Sequence, residues 1–231
     1  MEQIRIACIG AHPDDIELSM GGTVMKMVAA GHKVTLVDLT NGEPTPCGTV
    51  EIRQQESSQA ASLLGIERIT LNLPNRYLFD SVEARKKLAE VFRTIRPRFL
   101  FTHYEYDDHP DHKAACQIVE AARFYSKLTK SEIQGEPHYP EKIFYFFPNH
   151  INLNILPAFT VDISRYFERK KQVLECYQSQ FIKKGKGRFI EETLNVNRYH
   201  GSRIHKTAAE PFYIRDALDI EETARLFTSN E

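Results

Sequence analysis

The sequence has no excess of either charge: 30 basic against 31 acidic residues leave a formal net charge of −1 over 231 residues. With no global field of one sign, composition offers nothing to attract nucleic acid or a membrane surface, and neither is expected as a partner. Long hydrophobic runs are missing too. Nowhere do about eighteen uncharged apolar residues follow one another, so the pattern contains no transmembrane helix. The first residues, Met1-Glu2-Gln3-Ile4-Arg5, lead into a strand-like run and not an apolar signal segment, and a cytoplasmic location is expected. Cysteine is scarce and scattered: Cys8, Cys47, Cys116 and Cys176 form no CxxC pair, which predicts reduced structural thiols. Repeats, a low-complexity tail and a linker are also lacking. A single domain over 1–231 with one well-buried core is expected.

What the chain does have is nine histidines and a regular alternation of strand and helix patterns. Ile4 to Ile9 is apolar and strand-like; Met20 to Ala30 has helical spacing and stops at Gly31; Lys33 to Leu39 alternates as a strand. The loop 41–48 precedes Thr49, a capping residue for a helix through Ile52, Ala60, Leu63 and Leu64 that ends at Gly65. Strand Arg68–Leu73, helix Val82–Ile95 and strand Arg98–Thr102 continue the series. Three strand–helix repeats followed by another strand predict an α/β fold, a mostly parallel sheet with helices on both faces. Further on, a helix runs from the second histidine cluster to about Lys127, strands cover Lys142–Phe147 and Phe159–Val161, and a helix covers Ile163–Tyr177. The cationic stretch 183–188 is read as a solvated loop, with a lid or substrate loop as its functional alternative.

Two clusters carry the chemistry. Gly10-Ala11-His12-Pro13-Asp14-Asp15 follows the first strand, at the end where open α/β sheets bind ligands. His109-Pro110-Asp111-His112 follows a later strand. His12 and Asp15, three apart in a turn stiffened by Pro13, can face one point, and a third imidazole from the second cluster would complete a catalytic metal site. Asp14 neighbours a ligand without being needed as one, which suits a general base that later protonates a leaving amine. His109 and His112 cannot be interchangeable: one can bind metal while the other faces substrate. Asp111 between them is expected to orient and charge the nearby imidazole, making a cation for an oxyanion. His32, His103, His138, His150, His200 and His205 are read as structural.

The paired motifs, AHPDD followed by Glu17 and Gly21-Gly22-Thr23, with HPDH downstream, resemble the LmbE-like (PIG-L) family of metal-dependent N-acetylglucosamine deacetylases. The similarity extends to Arg53 and Glu56, Tyr177-Gln178-Ser179-Gln180 and Ala209-Glu210-Pro211-Phe212. Chain length and Asp107 look most like the bacillithiol branch, the N-acetylglucosaminyl-malate deacetylases; mycothiol-type members have tyrosine where Asp107 stands. The resemblance implies a Rossmann-like fold and His12, Asp15 and His112 as ligands of Zn2+, with Fe2+ as another divalent metal that such ligands accept. It also implies Asp14 as base and acid, His109 as oxyanion stabiliser oriented by Asp111, a substrate-binding Arg53, and a homo-oligomer, such as a hexamer. The expected activity is removal of an acetyl group from an N-acetylated sugar, with a malate-like conjugate favoured. A deacetylase of another sugar such as an acetylated disaccharide, a different metal-dependent hydrolase, and a silent metal- and sugar-binding module are the alternatives.

Overall fold

The computed structural model describes residues 3–148, 155–183 and 187–228. Strands β1 (Arg5–Gly10), β2 (Lys33–Thr40), β3 (Glu67–Leu73), β4 (Phe99–His103), β5 (Lys142–Phe146), β6 (Phe159–Asp162) and β7 (Ala209–Ile214) form one sheet in the order β3-β2-β1-β4-β5-β7-β6. The pairs among β1 to β5 are parallel; β7 runs antiparallel to both β5 and β6. An antiparallel margin on a parallel sheet is a common arrangement. Strand β1 lies inside the sheet, with β2 on one side and β4 on the other. The chain thus reverses its winding at β1/β4, and the crevice at the C-terminal ends of these strands is the topological switch point.

Burial follows the two-residue period of the strands. Ile6 and Cys8 of β1 join one core with Val34, Leu36, Phe99 and Phe101; Ala7 and Ile9 join the other with Val37, Leu39 and Leu100. Helices α1 (Asp15–Ala29), α2 (Val50–Leu64), α5 (Phe167–Glu175) and α6 (Gly187–Arg203) cover the first face, while α3 (Val82–Ile95) and α4 (Pro110–Ser126) cover the second. A short α7 (Ile220–Arg225) follows β7. Thr49 caps α2 by accepting the Ile52 N–H at 3.3 Å, and Gly65 closes it at φ +71°, as that sequence pattern predicts.

Four expectations need correction. Helix α1 begins at Asp15, not Met20, and Gly21-Gly22-Thr23 is helical; the irregularity lies at Met20 (φ −144°, ψ 21°). The break frees backbone groups that distant residues then satisfy. The Glu210 carboxylate accepts the Gly22 and Thr23 N–H groups at 3.0 and 2.7 Å, and Lys170 donates to Leu18 O at 2.7 Å and to Glu210 at 2.6 Å. Gly22 has to be small here, because a Cβ would come within 2.7 Å of Ile163. Second, the segment expected as one helix over Ile163–Tyr177 is a 3-10 turn (Ser164–Tyr166) followed by α5, and a π-turn spans Gln178–Ile182. Third, Gly187 and Arg188 open α6 and so do not belong to a loop, whereas residues 184–186 of that stretch lie outside the described residues. Fourth, α6 and β7 are elements the sequence pattern did not disclose. Among the described residues no helix is long and apolar enough to cross a membrane.

Candidate active site

The first motif turns sharply where β1 ends. The His12 N–H donates to Asp15 Oδ2 at 2.7 Å and the Asp15 N–H to His12 O at 3.3 Å, so both side chains are held on one side of the turn. Asp14 stands at the helix N-cap with φ 111°, a backbone region that costs a non-glycine residue energy. Its side chain makes no cap hydrogen bond. It pairs instead with Arg53 Nη2 at 2.9 Å, and the same nitrogen donates to Pro13 O at 2.5 Å. The second motif forms the first turn of α4 at the end of β4, with Pro110 in the opening helical position.

These elements bring His12, Asp15 and His112 together. One donor atom from each lies within 4.8 Å of the others, and all three residues are buried. His12 Nδ1 is 3.4 Å from Asp15 Oδ2, and His112 Nε2 is 3.2 Å from Asp15 Oδ1. The opposite nitrogen of each ring has its own carboxylate: Asp111 Oδ2 at 3.0 Å from His12 Nε2 and Asp107 Oδ2 at 2.8 Å from His112 Nδ1. Two imidazoles and a carboxylate, each imidazole backed by an outer carboxylate, are the donor set of a divalent-metal site. The residues present therefore fit a metal ion, with Nδ1 of His12 and Nε2 of His112 turned towards Asp15.

Electrostatics agree with that donor set. Burial would push both ring pKa values down, but Asp15 with Asp111 carries His12 up to about 9, and Asp15 with Asp107 carries His112 up to about 10. Against its own burial, Asp15 is held well below the usual carboxylate range by His112, His12 and His103. These shifts mark a cluster that favours positive charge, the character that a divalent-ion site requires. Asp14 behaves oppositely: burial raises it to about 7, partly offset by the Arg53 cation.

The placement of Asp111 differs from the sequence expectation. Residues two apart on a helix do not face each other. The Asp111 carboxylate hydrogen-bonds His12 and accepts the Arg76 and Leu78 N–H groups at 2.7 and 3.2 Å; towards His109 Asp111 donates its backbone N–H, to Nδ1 at 3.2 Å, and a carboxylate oxygen lies within 4.8 Å of a ring nitrogen. Burial and the His112 and His12 charges lower the His109 pKa to about 4, against the raising effect of Asp111. With Nδ1 accepting, the neutral ring carries its proton on Nε2.

A cleft of about 380 Å3 opens over these residues, lined by His12, Asp14, Asp15, Arg53, Arg76, His109 and His112 together with Leu18, Pro44, Pro46, Gln180, Phe181 and Phe189. Arg53 is only 3% exposed, yet its Nε and Nη1 have no hydrogen-bond partner among the described residues. Segments noted only for their resemblance have positions that explain them. Tyr177 donates to Glu17 at 2.7 Å, and Arg68 binds Glu17 and Asp38 at 2.7 and 2.6 Å, anchoring the first turn of α1. Ser179 bonds Glu56 through both N–H and hydroxyl at 2.7 Å, and Gln180 donates to Thr45 at 3.1 Å, tying the π-turn to the loop across the cleft.

Sequence reasoning missed His103, whose Nε2 accepts the Ala11 N–H at 3.0 Å and lies 3.2 Å from Asp15. It also missed Asp107 as a partner of His112, and Arg76, Phe181 and Phe189 as cleft residues. The strand end that carries His103 was the one available signal. His32 and His138 hold backbone groups, Ile4 N–H with Arg225 O and Pro97 O, as structural histidines do, while His150 lies outside the described residues.

Known proteins resemble the chain over this site. It is 28% identical over 193 residues to the diacetylchitobiose deacetylase of Thermococcus kodakarensis, covering 77% of this chain and 70% of that one. To a 1D-myo-inositol 2-acetamido-2-deoxy-alpha-D-glucopyranoside deacetylase of Thermomonospora curvata it is 27% identical over 175 residues, covering 61% of this chain and 59% of the relative's length. The crystal structure of the conserved protein TT1542 from Thermus thermophilus superposes with a TM-score of 0.86 at 35% identity, covering 95% of this chain and 98% of that one. The family described as PIG-L, GlcNAc-PI de-N-acetylase, matches residues 7–123, a span that contains both histidine–aspartate motifs, Arg53 and the switch point between β1 and β4. The chain belongs to the PIG-L family.

Proposed function

We propose that this chain hydrolyses the acetamide of an N-acetylglucosamine-containing small molecule, releasing acetate and the free amine. The observation that carries the reading is the arrangement of His12, Asp15 and His112 around one point with a second carboxylate, Asp14, outside that donor set and lining the same cleft. His12, Asp15 and His112 would hold a divalent cation, Zn2+ or Fe2+, which when bound would supply Lewis acidity towards the acetamide carbonyl and make water a better nucleophile at neutral pH.

The chain's own residues do the rest. Asp14, with its pKa raised to about 7, takes a proton from the attacking water as the new C–O bond forms. His109, neutral and with its proton on Nε2, donates to the oxygen that gains charge, a role that needs a fixed donor and not a full cation. The proton held by Asp14 then passes to the sugar nitrogen as the C–N bond breaks. Arg53 holds the Asp14 carboxylate and lines the cleft beside it, a cationic position that supports a carboxylate-bearing aglycone, such as the malate of an N-acetylglucosaminyl-malate-like conjugate. Relatives named for chitobiose and inositol glycosides favour the sugar half of this reading. A silent binding module would have no use for a buried, raised carboxylate beside the metal donors. The reading takes residues 1–231 as one unit, since a single sheet joins strands from Arg5 to Ile214.

Acetate release from free N-acetylglucosamine, its malate conjugate and an acetylated disaccharide tests the reading. Turnover of the conjugate is expected to exceed that of the others; a metal-loaded protein that releases no acetate from any of the three would remove the proposal.

The Arg53 pair also sets a pH dependence. Asp14 must be ionised to act, so the rate rises with pH through its pKa, and Arg53 lowers that pKa. In Arg53→Met the acid limb of kcat/KM is expected to move to higher pH by about one unit or more. An unmoved limb would show that the limb belongs to another group.

A further inference from the structure

Arg76 has no part in the hydrolysis just described, yet it lines the same cleft as Arg53. It lies in the loop between β3 and α3 at φ 67°, the left-handed region that a non-glycine side chain enters only at a cost. What holds it there is visible: its N–H donates to Asp111 Oδ2 at 2.7 Å, and two residues on Leu78 N–H donates to Asp111 Oδ1 at 3.2 Å. The loop is thereby fastened to the carboxylate that backs His12. The guanidinium, by contrast, forms no ion pair or hydrogen bond among the described residues, and the residue is exposed.

The other charges of the cleft are already matched. Asp14 is paired with Arg53 Nη2, and Asp15 lies within 3.4 Å of three imidazoles. Of the two arginines that line the cleft, Arg53 is engaged by Asp14 and Pro13 O and its Nε and Nη1 are shut off from solvent, whereas Arg76 keeps its whole head group, and no carboxylate of the lining remains for it. Guanidinium groups in such a position are suited to carboxylate, which they can bind in a bidentate way.

We infer that Arg76 is a specificity-determining residue, selecting N-acetylglucosamine glycosides whose aglycone carries a carboxylate over neutral ones. The inference rests on the deacetylase reading for the reaction but concerns substrate choice alone. The strained backbone is the means by which the loop presents the side chain while its N–H holds Asp111, so glycine at 76 keeps the loop and its hydrogen bond and removes only the head group.

The test compares N-acetylglucosaminyl malate with methyl N-acetylglucosaminide, by acetate release and by calorimetric binding. In Arg76→Gly the ratio of kcat/KM for the malate conjugate to that for the methyl glycoside is expected to fall roughly 10- to 100-fold, the range for one charge-assisted contact. The malate conjugate's Kd is expected to rise by a similar factor, and Arg76→Lys to retain part of the preference. An unchanged ratio together with an unchanged Kd would overturn the inference. If the parent protein binds the malate conjugate and loses that affinity in Arg76→Gly but releases no acetate, the deacetylase reading fails while the role of Arg76 stands. Absence of binding to the parent would overturn both.

Discussion

Asp14→Asn is expected to lower kcat for acetate release by about a hundredfold or more, with metal content unchanged and the melting temperature within a few degrees of the parent. Asparagine keeps the size of the side chain and an oxygen for Arg53 Nη2, which also has Pro13 O, and it tolerates positive φ at least as well as aspartate. Only the capacity to accept and return a proton is lost. The effect should lie in kcat more than in KM, because Asp14 acts on the water and the leaving nitrogen and not on the bound sugar. Turnover near that of the parent would take proton transfer away from Asp14 and leave it as a structural partner of Arg53.

His12→Ala is expected to strip the metal, with elemental analysis finding far below one equivalent per chain after desalting. Loss of a ligand should exceed the roughly 10- to 100-fold loss of metal affinity usual for an outer partner. That comparison is available in the same site. Asp111→Asn weakens the carboxylate on His12 Nε2 and should fall within the smaller range, because His12, Asp15 and His112 all remain. Were Asp111 acting on His109 instead, its substitution would change turnover and leave affinity for metal untouched. Full metal content in His12→Ala would remove His12 from the donor set.

Much of the frame was legible because local pattern and tertiary need coincide. The α3 boundaries, Val82 to Ile95, follow from the helical spacing of Leu88, Val91 and Phe92, and the inner parallel strands β1 and β4 are largely apolar runs because both faces are covered. Strand β7 was hidden by Glu210 and Pro211, residues that argue against a strand; Glu210 is there to satisfy the broken helix α1, a demand that only the tertiary structure reveals. Helix α6 buries only Ile190, Thr193, Leu194, Asn197 and Gly201, too polar a face to stand out. Gly201 packs there because a Cβ would meet the Ala208 backbone at 2.6 Å.

The site divides in the same way. His12 and Asp15 stand out by residue type and by position at a strand end, while His112 is singled out from His109 only by the family resemblance. The partners that tune them do not stand out: Asp107 reaches His112 around a turn, Asp111 bonds a histidine of the other motif, and His103 meets Ala11 and Asp15 across the switch point. Sequence adjacency suggested that Asp111 serves His109, and its carboxylate hydrogen-bonds His12 instead. The correction changes the chemistry assigned to both residues. In the proposed reaction Asp111 backs the His12 imidazole and His109 serves as a neutral hydrogen-bond donor.

The measurement that tests the central claim most directly is acetate release from N-acetylglucosaminyl malate while the metal-free protein is titrated with Zn2+. The rate is expected to rise in proportion to added metal, to stop rising at one equivalent per chain, and to stay at background in His12→Ala. Full acetate release by the chelator-treated protein, or none at any metal loading, would contradict a single-metal deacetylase built on His12, Asp15 and His112.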